Sequence, residues 1–240
     1  MKRKRAFIWA AGVVLLMILL FLVSPMFHVR HIEVSGNFRI SSDEIREQLG
    51  LGSTTHLLLF SQNQVRQRLM ENLYIGDVQF ERVFPNRLYV SITERRLTAY
   101  FEHMPGSFLF LDDTGRVLEV RTYFTEPLPV LDGLQFTRFQ LGEVLEVPDT
   151  AAFNVIVQYA QLLNHHGLID RVSHINVSDS ANIRIIIGNK EFNVGGGIHG
   201  ADEKVRTILQ VLAAMPYPEL MRGFMDMREL RPQYFFEMLQ

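Results

Sequence analysis

The chain has 240 residues, 48% of them hydrophobic and 21% charged, with a formal net charge of -2. That balance suits one or two folded domains and excludes bulk disorder. Lys2, Arg3, Lys4 and Arg5 precede the first apolar run, so the remainder is acidic and unsuited to nucleic acid as its main partner; the absence of cysteine removes disulfides, thiolate metal sites and thiol nucleophiles.

Residues 6–23 read AFIWAAGVVLLMILLFLV, without a charge. At about 1.5 Å per residue this approaches the roughly 30 Å of bilayer hydrocarbon. A core helix would carry a polar stripe, and this run has none. The basic cluster before it predicts a cytoplasmic tail over 1–5, a transmembrane helix over 6–24 and an extracytoplasmic remainder. A cleaved signal peptide would instead end in a small-x-small site, which Leu22, Val23, Ser24 and Pro25 do not provide.

Beyond the anchor, residues 29–34 mix β-branched residues with alternating polarity and end at Gly36-Asn37, predicting a strand and a turn. Ser41 and Glu44 have capping-box spacing, Ile45 and Leu49 share a helical face, and Gly50 and Gly52 supply the stop. A second helix is expected from Ser61, with Val65 and Leu69 inward. Strands over 75–84 and 87–95 flank Pro85-Asn86, with Leu88, Val90 and Ile92 on one face. The order β-α-α-β-β predicts a small module with two helices on one sheet face, little room for a catalytic cleft and a free sheet edge.

In the second region, strands over 108–111 and 116–120 form a hairpin about Asp112-Asp113-Thr114-Gly115, followed by a proline-punctuated stretch over 127–148. Helices over 151–165 and 202–214 keep apolar residues at helical spacing: Phe153, Ile156, Val157, Ala160 and Leu163, then Val205, Ile208, Leu209, Leu212 and Ala213. Strands are expected near 173–178, 182–187, 223–228 and 233–238. The fold class is α+β, with a mixed β-sheet domain and two covering helices after the first module.

These residues resemble the FtsQ/DivIB family of bacterial cell division proteins. FHVRHIEVSGN followed by SSDEIREQLGL is similar to the opening of that family's POTRA domain, a polypeptide-transport-associated module, and VQFERVFPNRLYVSITERR to its closing hairpin. FLFLDDTGRVLEV, LPVLDG and FMDMREL resemble successive landmarks of its β domain. Leu97, Thr98 and Ala99 depart from the proline and alanine usual after the Glu-Arg pair. The resemblance implies a POTRA domain over 27–96 and a β domain over 97–240. It further implies a non-enzymatic divisome scaffold, in the cell membrane at the septum. Its partners would be FtsL-like and FtsB/DivIC-like bitopic proteins, and the septal peptidoglycan synthase is a further candidate. No cofactor and no metal enter that reading.

Three features could carry chemistry instead. Asp113-Thr114-Gly115 after an apolar strand is similar to an aspartic protease motif, giving the alternative of a membrane-anchored envelope hydrolase. Arg116 follows where a small residue belongs, and Asp-x-Gly is ordinary hairpin chemistry. His28 and His31 fall on opposite strand faces, and His165-His166 stand at a helix end, where they suit the helix dipole. Gly195-Gly196-Gly197 precedes a helix, but Ile198 and His199 occupy the places of a phosphate loop's lysine and hydroxyl residue, so a turn is expected.

The remaining candidate is the final strand, which alternation divides into Tyr234, Phe236 and Met238 on one face and Phe235 and Glu237 on the other. The aromatics could simply close the core. The family resemblance points to this place as the edge that accepts a partner strand. The expected partner-binding residues are Arg228, Gln233, Tyr234, Phe235, Phe236, Glu237 and Met238.

Overall fold

The computed structural model describes residues 9, 12–17, 21, 24–123, 127–215, 221–229 and 233–238. Among them no helix is long and apolar enough to cross a membrane. Much of the expected anchor over 6–24 lies outside the described residues; Trp9, residues 12–17 and Phe21, which are described, are helical. The chain divides into two compact units, Met1–Arg95 and Arg96–Gln240.

The first unit enters through a 3-10 turn, Pro25–Phe27, and continues as β1 (His31–Ser35), α1 (Ser42–Leu49), α2 (Gln62–Met70), β2 (Ile75–Val83) and β3 (Arg87–Glu94). The order is the β-α-α-β-β read from the sequence. The Ser41 hydroxyl accepts from the Glu44 N–H at 3.1 Å, and Gly50, at φ 61°, closes the same helix. Ser61 caps α2 in the same way, accepting from the Gln64 N–H. The strands lie in the order β1-β3-β2, with β1 parallel and β2 antiparallel to β3. Leu88, Val90 and Ile92 share a buried cluster with Ile45, Leu49, Val65 and Leu69, each worth about 1.5–3 kcal/mol of burial. The first strand starts two residues later than expected, because the N–H of Val29 is engaged by the Thr55 carbonyl at 2.9 Å.

The second unit carries β4 (Leu97–Met104), β5 (Ser107–Asp112), β6 (Val117–Arg121), β7 (Val130–Asp132), α3 (Thr150–His165), β8 (His174–Asn176), β9 (Arg184–Ile187), β10 (Lys190–Asn193), α4 (Ala201–Ala214), β11 (Met221–Asp226) and β12 (Gln233–Met238). The nine strands form one mixed sheet, ordered β12-β11-β10-β9-β8-β7-β4-β5-β6. Parallel ladders join β4 to β7, β7 to β8 and β10 to β11. Helix residues Phe153, Tyr159, Leu163, Val205, Ile208 and Leu212 share one core with sheet residues such as Leu109, Ile185 and Phe192.

Three strands were not expected. β4 reads Thr98-Ala99-Tyr100-Phe101 as four consecutive buried residues, so it lacks alternation. β7 and β10 are three and four residues long. On the last helix, Leu209 is only partly buried and Ala213 is exposed, which narrows its inward stripe to Val205, Ile208 and Leu212.

Candidate partner-binding edge

The sheet of the second unit ends at β12, which among the described residues pairs only with β11, in the antiparallel register Met221↔Met238 through Asp226↔Gln233. The last strand therefore stands where expected, with a backbone edge facing away from the ladder. Gly223 makes the approach possible: a Cβ there would lie 2.2 Å from the Phe235 carbonyl oxygen and 2.2 Å from the Phe236 ring.

The expected partner-binding residues separate by environment. Phe235 is 64% and Met238 57% exposed. Phe224, directly opposite Phe235 in the register, is 38% exposed, so the outer face of this strand pair presents two rings. Phe236 turns inward, its ring 6.5 Å from that of fully buried Phe192. Glu237 faces Arg222 across the ladder and accepts from its Nε at 2.5 Å. The side chains of Gln233 and Tyr234 lie outside what the structure describes. A shallow groove of about 370 Å³ runs across the outer face, touching Ile186, Lys190, Arg222, Phe224, Phe235 and Glu237.

Arg228 sits just past β11. Its guanidinium donates to both Asp226 carboxylate oxygens and, at 2.8 Å, to Asn182 Oδ1. The hydrogen bond from Arg228 holds the Asp226 carboxyl below the usual carboxylate range. Beside this pair lies a cleft of about 490 Å³ formed by Gly195, Gly196, Gly197, Lys204, Met227 and Arg228, among others. Lys204 donates to the Val194 carbonyl at 2.7 Å, and partial burial pulls its ammonium below the usual lysine range. Within the glycine triplet Gly196 serves packing, since a Cβ there would lie 2.2 Å from the Ser180 carbonyl oxygen, and Gly195 turns the chain at φ 77°. Sequence reasoning missed Asn182, Arg222, Gly223 and Asp226; of these only a glycine inside an apolar strand was a visible signal.

The Asp-Thr-Gly hairpin is turn chemistry. Asp112, 4% exposed, accepts at one carboxylate oxygen from the Thr114 N–H, the Thr114 hydroxyl and the Arg116 N–H, at 2.8, 2.6 and 3.0 Å. Gly115 turns the chain at φ 77°, where a Cβ would meet the Phe153 ring at 2.4 Å. Asp113 offers its carbonyl to Gln161 Nε2 at 3.0 Å. The sequence holds a single Asp-Thr-Gly triplet, and the hydrolase alternative gains no support. His165 lies in the last turn of α3 and His166 is its C-cap, with a backbone N–H donating to the Leu162 carbonyl at 3.0 Å, while the His166 ring also bonds Asp202 of α4 at 2.8 Å.

Comparison with known proteins agrees with this architecture. A family model described as "POTRA domain, FtsQ-type" matches residues 27–95. The chain is 24% identical over 189 residues to the cell division protein DivIB of Clostridium tetani, covering 78% of this chain and 71% of that protein. It is 21% identical over 224 residues to DivIB of Clostridium botulinum strain Hall, covering 92% and 87%. With the cell division protein FtsQ of Bartonella bacilliformis it shares 28% identity over 140 residues, 58% of this chain and 42% of that one.

Proposed function

We propose that this chain, a cell division protein of the FtsQ/DivIB family, is a non-enzymatic divisome scaffold held in the cell membrane by residues 6–24. In this reading β12 accepts a strand from an FtsB/DivIC-like partner, an FtsL-like protein joins the same assembly, and septal peptidoglycan synthesis is controlled through it. The observation that carries the proposal is the outermost place of β12, which among the described residues pairs with β11 alone, while its Phe235 and Met238 are exposed. Added strands gain affinity from main-chain hydrogen bonds and selectivity from alternate side chains. Arg228 bonds Asp226 and Glu237 bonds Arg222, which stiffens the edge at which the partner strand would add.

The test is capture of the soluble parts of FtsL-like and DivIC-like proteins from the same cell by the whole chain and by a Phe235→Lys, Met238→Lys double variant. Both side chains are exposed, so the fold is kept, and edge lysines oppose strand addition. Capture is expected to weaken at least about tenfold, roughly 1.4 kcal/mol. Unchanged capture by the folded variant removes the edge from the proposal.

A further inference from the structure

Three segments of the first unit converge where the chain leaves the apolar run. Phe27, 7% exposed, packs its ring 5.5 Å from Phe21, 6.0 Å from His56 and 6.2 Å from Phe84. The Phe27 carbonyl accepts from the Leu57 N–H at 2.8 Å, and the Asn86 carbonyl accepts from the Arg30 N–H at 2.9 Å. These bonds fix the loop before α2 and the tip of the β2–β3 hairpin beside the entry segment. Around buried Phe27, however, apolar side chains point outward: Met26 is 43%, Phe84 55% and Leu59 73% exposed.

No linker separates this surface from residues 6–23. The Ser24 N–H donates to the carbonyl of the helical residue Phe21 at 3.1 Å, and the 3-10 turn begins at Pro25. From residue 23 to Phe27 the chain spans at most about 14 Å even when extended, and each interfacial layer of a bilayer is itself roughly 5–8 Å deep. If residues 6–24 span the membrane, Met26, Leu59 and Phe84 are tethered at headgroup depth.

We propose that Met26, Leu59 and Phe84 form a membrane-interface docking surface, which beds this end of the first unit into the outer surface of the bilayer. The occupant is lipid, because the tether delivers the patch there and apolar side chains of this kind settle at the boundary of headgroups and acyl chains. The inference rests on the spanning reading of residues 6–24. Phe38 supplies an internal contrast. It is 79% exposed but lies at the far end of the sheet, its N–H bonded to Glu94 at the end of β3, while Phe84 stands before the start of that strand. Eight residues of strand separate the two ends by about 25 Å.

Because the chain has no cysteine, single spin labels can be placed at Met17→Cys, Leu59→Cys, Phe84→Cys and Phe38→Cys in the full chain. Each is reconstituted in nanodiscs of phosphatidylethanolamine and phosphatidylglycerol, and the label's accessibility to oxygen is compared with its accessibility to a water-soluble nickel chelate. The expected result is oxygen preference at 17, a smaller oxygen preference at 59 and 84, and nickel preference at 38. Nickel preference at 59 and 84 equal to that at 38 overturns the docking surface while leaving the span intact. Shielding from both reagents there, which would mean a protein cover, also overturns it. Failure of the chain to enter nanodiscs, or nickel preference at 17, refutes the span and the inference with it.

Discussion

Glu94 ties three backbone N–H groups of the first unit to the end of β3. Its Oε1 accepts from the N–H groups of Phe38 and Ile40, each at 3.0 Å, and its Oε2 from the Arg39 N–H at 2.8 Å. One carboxylate at the end of β3 thus fixes the loop that leads into the Ser41 cap of α1. Hydrogen bonds to a charged acceptor are worth about 1.5–3 kcal/mol each when water cannot replace them. The bonds from Phe38 and Arg39 are exposed and are largely made good by solvent, whereas the Ile40 bond is partly buried. Glu94→Ala should therefore cost about 2 kcal/mol, a fall in Tm of roughly 8–16 °C for a domain of this size. Glu94→Gln should cost about half as much, since one amide oxygen remains while the NH2 group faces an N–H donor. Calorimetry of the chain measures the loss, and hydrogen exchange at Ile40 shows whether it begins in this loop. A Glu94→Ala variant within about 0.5 kcal/mol of the parent, or an unchanged Ile40 exchange rate, would refute the reasoning.

Asp112→Ala removes three accepted hydrogen bonds and Gly115→Ala drives a methyl group into Phe153, so each should destabilise the second unit by about 2 kcal/mol or more, read by urea denaturation. Asp113→Asn, by contrast, should complement a division defect fully, and complementation is the readout that a catalytic Asp113 would fail. Gly223→Val should push β12 off β11 while the core survives, so partner capture falls with little change in the melting of the unit. Burial pushes the phenol of Tyr159 up to about 12. Because the folded value lies above the unfolded one near 10, its protonated form is favoured in the native state, and stability is full below pH 10 and lost between pH 10 and 12. The loss is on the order of 2–3 kcal/mol, and a Tyr159→Phe variant should lack this component in denaturation at pH 9 and 11.5.

The first unit was legible in the sequence because its signals agree at every level. Ser41 and Ser61 mark the starts of two short amphipathic helices, and alternation in β3 puts Leu88, Val90 and Ile92 inward. The second unit was legible in its helices, the hairpin of β5 and β6, and its last strand. It was opaque at β4, whose run of buried residues on both faces hides the period of two, and at β7 and β10, which are too short to show any period. The outermost place of β12 follows from non-local pairing, a parallel ladder of β11 on β10 across an intervening helix, which local pattern does not encode. The same holds for the separation of Phe235 from Phe236: alternation assigns faces, but only the packing against Phe192 decides which face is the core, and Met238, on the same face as Phe236, is exposed at the end of the strand. Arg228 was visible as a charged residue near the edge, while its commitment to Asp226 and Asn182 required the fold.

Pairing of a division partner with β12 is tested most directly by cross-linking in dividing cells from a photoreactive residue at Phe235, with Val120 as the control. Val120 is 41% exposed on β6, the strand at the opposite end of the same sheet. An adduct with a small bitopic division protein from 235 and none from 120 is the predicted result. Adducts from 120 alone, or equal yields from both positions, would contradict it.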